Sequence, residues 1–97
     1  MNNVIDNLVW KDLTSYSQGQ IKRTARVLEV KLVNISLLVH RHIDYTGWLL
    51  SSNDLDLEKV KLKSEDVEDA KVEALNKLNG ILSERISEYN RIKSIIS

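Results

Sequence analysis

Residues 27–40 read VLEVKLVNISLLVH, and the way this stretch pairs with itself decides the fold. Centring a reversal on Val33-Asn34 sets Leu32 against Ile35, Val30 against Leu37 and Leu28 against Val39. Directly opposed residues of an antiparallel pair share one face of the sheet. A single register therefore collects these six apolar side chains on one side. The other side takes Lys31 with Ser36, Glu29 with Leu38 and Val27 with His40. A slip of one residue would set Leu28 against His40 and mix the two faces, so the parity is strongly specified. Val33 is a poor residue for a turn that needs positive φ, and the pattern predicts a four-residue loop rather than a tight two-residue one.

Beyond the hairpin, Asp44-Tyr45-Thr46-Gly47 reads as the next turn and Trp48-Leu49-Leu50 as the start of a third strand. Pairing Ile43 with Trp48 places Trp48 and Leu50 on the same apolar face. Ser51-Ser52-Asn53-Asp54 ends the run, and Leu55, Leu57, Val60 and Leu62 fall in an irregular or briefly extended segment. The first nineteen residues are ambiguous. Val4, Ile5, Leu8 and Val9 suit a helical turn, whereas Leu8 and Trp10 suit a strand.

Residues 64–97 carry the helical signal. Ser64 is a suitable N-cap, and Glu65, Asp66, Glu68 and Asp69 place negative charge at the positive end of the helix dipole. Val67, Ala70, Ala74, Leu75, Leu78, Leu82, Ile86, Tyr89, Ile92 and Ile96 recur at spacings of three and four. From Leu75 onward Leu78, Leu82, Arg85, Tyr89, Ile92 and Ile96 alternate three and four as a heptad seam does, with Arg85 its one polar member. The sheet face and the helical stripe bury each other. The expected fold is α+β, a three- to four-stranded antiparallel meander (residues 1–63) packed against one long carboxyl-terminal helix (residues 64–97).

One helix over residues 64–97 would be about 50 Å long, whereas a compact body of this size is roughly 32 Å across. Either the helix breaks at Asn79-Gly80 or its second half projects. A projecting half carrying Ile81, Leu82, Ile86, Ile92, Ile95 and Ile96 is too apolar to remain uncovered, and Ile81, Leu82, Ile86, Tyr89, Ile92 and Ile96 form the expected oligomer interface. The expected partner is a second copy, most simply in a two-fold dimer, with an unidentified protein partner as the other possibility.

Composition narrows the function classes. Ninety-seven residues make one domain, too small for separate cofactor and substrate domains. The chain has no cysteine, hence no disulfide framework and no thiolate chemistry. No apolar run approaches the roughly 20 residues of a membrane span. Met1-Asn2-Asn3-Val4-Ile5-Asp6 lacks the basic and apolar regions of a signal peptide. A soluble, cytoplasmic protein without cofactor is expected. Equal numbers of acidic and basic residues, 14 of each, give no net charge. Residues 20–43 nevertheless hold five bases against one acid, and residues 44–69 eight acids against three bases.

Two clusters suggest chemistry. His40-Arg41-His42-Ile43-Asp44 places His40 and His42 on one strand face, roughly 6–7 Å apart, with Asp44 beyond and Glu29 as a further ligand for a mononuclear metal. This H-x-H-x-D string resembles that of binuclear hydrolases of the metallo-β-lactamase type over five residues. Tyr45 stands where that family continues with another histidine, so its activity is not carried over. Arg23, Arg26, Lys31, His40 and His42, with Lys22 and Tyr45 nearby, form a basic set that would neutralise phosphates on an open sheet face. A nucleic-acid surface is accordingly the second expectation, behind protein interaction, and a mononuclear metal site through His40, His42 and Asp44 the third, with no functional metal binding expected because no further ligand is assured. No nucleophile elbow or phosphate-binding glycine loop occurs, and the chain does not read as an enzyme.

In layout the chain resembles small uncharacterised phage and prophage proteins built from a β-meander and one helix. Trp10, Gly47, Trp48, Ser64, Ala70 and Lys71 carry the resemblance. It implies an accessory or host-modulating role, inhibition of defence systems among them, and no catalytic residue.

Overall fold

The computed structural model describes residues 8–14, 26–41 and 47–97. Among these residues five strands form one antiparallel sheet: β1 (Trp10–Asp12), β2 (Val27–Leu32), β3 (Ile35–His40), β4 (Leu49–Ser52) and β5 (Leu57–Lys61). Their spatial order is their order in the chain. One helix, α1 (Val67–Ile96), follows. The architecture is α+β, with five strands rather than three or four. The two additional strands come from the stretches whose sequence pattern is weakest.

The β2–β3 register is the one the apolar pattern dictates, with Leu28 opposite Val39, Val30 opposite Leu37 and Leu32 opposite Ile35. The connection, however, is the two-residue turn Val33-Asn34, not a four-residue loop. Val33 adopts φ 58° to make it, a region that is unusual for a β-branched side chain. The ladder between β3 and β4 sets Val39 opposite Leu50 and His40 opposite Leu49. This lies two residues from the register that pairing Ile43 with Trp48 requires; Ile43 itself falls outside the described residues. A shift of two preserves which face each side chain takes, and Trp48 and Leu50 both reach the core.

Ser51 and Ser52 belong to β4 and do not end it. Ser52 is buried and donates its hydroxyl to the Ser36 carbonyl at 2.7 Å, which satisfies the polar group that would otherwise make burial costly. The segment after Asn53–Asp56 is a strand with a bulge. Leu50 faces Val60 but Ser52 faces Leu57, so β5 carries one extra residue. Lys59 takes φ 50° there. The bulge breaks the two-residue alternation of Leu57 and Val60, which is why the sequence pattern looks irregular.

Val30, Leu37, Val39, Trp48, Leu50 and Leu62 pack against Ala70, Ala74 and Leu78 of α1. Burying each of the large aliphatic side chains contributes about 1.5–3 kcal/mol. Ala70 and Ala74 are fully buried, and their small side chains allow the helix axis to lie close on the sheet. Trp10 joins the same layer from the sheet edge, with the Lys71 ammonium 5.6 Å from its ring centre.

The helix begins two residues later than Ser64 implies. Asp66 is the N-cap, in extended conformation, and its carboxylate accepts the N–H groups of Glu68 and Asp69. The Ser64 hydroxyl instead donates to Glu73 at 2.8 Å. The helix runs unbroken through Asn79 and Gly80 for 30 residues, about 45 Å. The chain measures 61 × 31 × 23 Å with a radius of gyration of 15.9 Å, against about 12.5 Å for a compact chain of this length.

Candidate interaction surface

The helix has two halves on one continuous face. Its first half buries Ala70, Ala74 and Leu78 under the sheet, and Leu75 and Leu82 pack at the margin of that core. Stepping on from Leu78 by four and three, the same face presents Leu82, Arg85, Tyr89, Ile92 and Ile96. Ile81 and Leu82 are half-buried, but every residue from 86 to 97 is exposed. Ile86 and Tyr89 are each 59% exposed, Ile92 48% and Ile96 78%. Of the six residues read as an oligomer surface, Leu82 thus belongs partly to the monomer's own core. Ile86, Tyr89, Ile92 and Ile96 stand clear of it, and Ile95 joins them at 81% exposure. The row is flanked by charge of both signs, Glu84 and Glu88 against Arg91 and Lys93.

The helix entry is fixed by two side chains remote from this row. Trp48, almost wholly buried, donates its indole N–H to the Glu65 carbonyl at 2.9 Å, and the Arg41 guanidinium lies 5.8 Å from its ring centre. The Glu73 carboxylate accepts the Lys63 N–H, the Ser64 N–H and the Ser64 hydroxyl at 2.8–2.9 Å. Desolvation pushes the Glu73 carboxyl up. The hydrogen bonds from Lys63 and Ser64 and the nearby Lys77 charge outweigh it, holding the group below its ordinary value. Nothing in the sequence pattern singles out Glu73, because its partners are two backbone amides and a serine brought together only by the turn from β5 into α1.

On the sheet's other face a hollow of about 340 Å³ is lined by Val27, Leu38, His40, Ser51 and Lys59, among others. His40 Nε2 lies 2.8 Å from the Ser51 hydroxyl, and that hydroxyl accepts the Lys59 N–H at 2.9 Å. The bulge leaves the Lys59 amide facing away from the regular ladder, and Ser51 supplies its acceptor. The serine hydroxyl is therefore held by the bulge on one side and by the imidazole on the other, an arrangement that clips β4, β5 and β3 together.

The metal reading involves His42 and Asp44, which lie outside the described residues. Among the described residues, no group of three or more His, Asp or Glu side chains is placed to hold a metal ion. Of the basic set, Arg23 and His42 also lie outside the described residues. Arg26 immediately precedes β2 and Lys31 lies near its other end, roughly 17 Å away along the chain direction. Glu29 shares the face of Lys31 and stands opposite both Lys11 and Leu38, which interrupts the positive charge. No helix among the described residues is long and apolar enough to cross a membrane. No protein-family model, curated protein or solved structure matches this chain.

Proposed function

We propose that this protein is a non-enzymatic interaction module of the cytoplasm that self-associates through the projecting half of α1. The observation that carries the reading is the continuity of one helix face, buried on the sheet as far as Leu78 and exposed as Ile86, Tyr89, Ile92 and Ile96 beyond it. An exposed isoleucine row of this length favours association, since each large apolar side chain removed from water contributes about 1.5–3 kcal/mol before the cost of bringing two chains together. A second copy is the favoured occupant because a three-and-four seam matches another such seam. Two-fold symmetry also lets one patch cover itself. The resemblance to small phage and prophage proteins supports an accessory role for the assembly.

Sedimentation equilibrium of the intact protein tests the proposal. A mass of two chains at micromolar concentration is expected. The double substitution Ile86→Lys and Ile92→Lys should return one chain with an unchanged circular dichroism spectrum, because both side chains lie outside the core. A wild-type monomer at such concentrations would sink the proposal.

A further inference from the structure

We infer that Asn79-Gly80 is a site of self-modification, where the chain converts its own asparagine to aspartate and isoaspartate and so divides α1 at the edge of the sheet.

The dipeptide reads as a helix stop, yet the helix passes straight through it. No other asparagine of the chain precedes a glycine. Glycine carries no Cβ, so its amide nitrogen approaches a neighbouring side chain without the hindrance that any other residue imposes. Asn79 and Gly80 are both exposed, and a Cβ built on Gly80 meets nothing within 4 Å. Water reaches the pair freely.

That water is the only co-reactant needed. The Gly80 nitrogen attacks Cγ of Asn79 and closes a five-membered imide ring. The proton of the Gly80 amide passes to solvent, and the side-chain nitrogen leaves as ammonia. Water then opens the ring at either carbonyl. Breaking the newly made bond to Cγ gives aspartate. Breaking the original main-chain bond gives isoaspartate, in which the chain runs through Cβ and Cγ.

The helix opposes the first step. Within it the Gly80 N–H donates to the Asn76 carbonyl four residues back, and the nitrogen cannot turn onto Cγ of Asn79 until that turn opens. On the amino-terminal side Ala74 and Leu78 are held under the sheet. On the other side every residue from 86 to 97 is exposed, and a helical stretch of that length is marginal in water by itself. Glycine weakens the helix further at the junction. Leu82, the last side chain along α1 to pack on the core, holds the turn shut. Openings that travel back past it from the free end expose the pair to reaction.

Isoaspartate adds one methylene to the main chain, and the regular ladder of bonds cannot run through it. The first half of α1 keeps its place through Ala70, Ala74 and Leu78. The half bearing Ile86, Tyr89, Ile92 and Ile96 loses its alignment with the body.

The intact protein is aged in warm, mildly alkaline buffer, alongside the same protein in urea and Gly80→Ala under both conditions. Peptide mapping by mass spectrometry locates the amide-to-acid exchange, and electron-transfer fragmentation separates isoaspartate from aspartate. Conversion at Asn79 is expected in the folded chain, about tenfold or more slower than in urea, as gating by local opening requires. Gly80→Ala should slow it in urea as well as in buffer, because the added Cβ shields the nitrogen whether or not the helix is present. The purified isoaspartyl form should lose about half of the helical circular dichroism signal, the share that residues 81–96 contribute to α1. Equal rates with and without urea would overturn the proposal, as would no conversion of the folded chain while the unfolded chain converts completely. An isoaspartyl form with undiminished helicity would overturn the division of the helix.

Discussion

Trp48, at the entry to β4, and Glu65, just before α1, are joined by one hydrogen bond of 2.9 Å from the indole N–H to the backbone carbonyl. The bond fixes where the helix leaves the sheet, and thereby the direction in which its far half points. Glu73 adds a second tether about two turns into the helix, through Lys63 and Ser64.

The Glu73 tether makes stability depend on acid. A carboxyl whose folded-state value is depressed stabilises the protein above its unfolded-state value and loses that contribution as pH falls through the folded one. Glu73→Gln should cost up to about 1 kcal/mol at pH 7, since a charged acceptor is replaced by a neutral one at a site that solvent screens. The difference from wild type should shrink below the ordinary carboxylate value of 4.5. Urea melts of both proteins at pH 7 and pH 3.5 check this. An undiminished gap at the lower pH would contradict it.

At the β2–β3 turn, Val33 is fully exposed and adopts φ 58°. It makes no packing contribution there and carries the strain of a β-branched residue in the left-handed region. Val33→Gly should raise stability by about 0.5–1 kcal/mol, the strain relieved exceeding the extra freedom of the unfolded chain. The midpoint of thermal unfolding measures the balance.

Gly80 lies inside the helix on its exposed side, and a Cβ added there meets nothing within 4 Å. Replacement by alanine should therefore add close to the full helix-propensity difference, about 0.8–1 kcal/mol. Far-ultraviolet circular dichroism during melting would show the gain. A loss of helicity would mean that the helix needs to bend at this point.

Ser51→Ala removes the acceptor of the Lys59 amide at the bulge and the hydroxyl partner of His40. A cost of about 1 kcal/mol is expected, with faster amide exchange at Lys59 by nuclear magnetic resonance. Unchanged protection at that amide would show that the bulge is held by its backbone alone.

The parts of this fold legible in sequence are those where one physical requirement acts alone. Leu28, Val30, Leu37 and Val39 can all be buried together in only one register, and Ala70, Ala74 and Leu78 mark one helix face by spacing. Where two requirements compete, the pattern misleads. The turn at Val33 reads as a longer loop because local strain argues against it, yet the β2–β3 ladder imposes the two-residue connection. Ser64 and Asp66 are both good caps, and the choice between them is made by Glu73, nine residues beyond Ser64. β5 is hidden because the bulge at Lys59 interrupts its alternation. The projecting isoleucines are visible in sequence from helix length alone. Their partial overlap with the core at Leu82 is not, because it depends on where the sheet ends.

The strand order carries a consequence for the growing chain. From β2 to β5 each strand lies beside the one made just before it, with the tight connections Val33-Asn34 and Asn53–Asp56 closing two of the three pairings. The sheet can therefore form progressively during synthesis without waiting for distant residues. Its cover cannot. Leu37, Val39 and Leu50 stay bare until Ala70, Ala74 and Leu78 have emerged, so the half-made chain passes through an interval in which its greasiest surface has no lid. That interval, and not the finished molecule, is when misassembly threatens most.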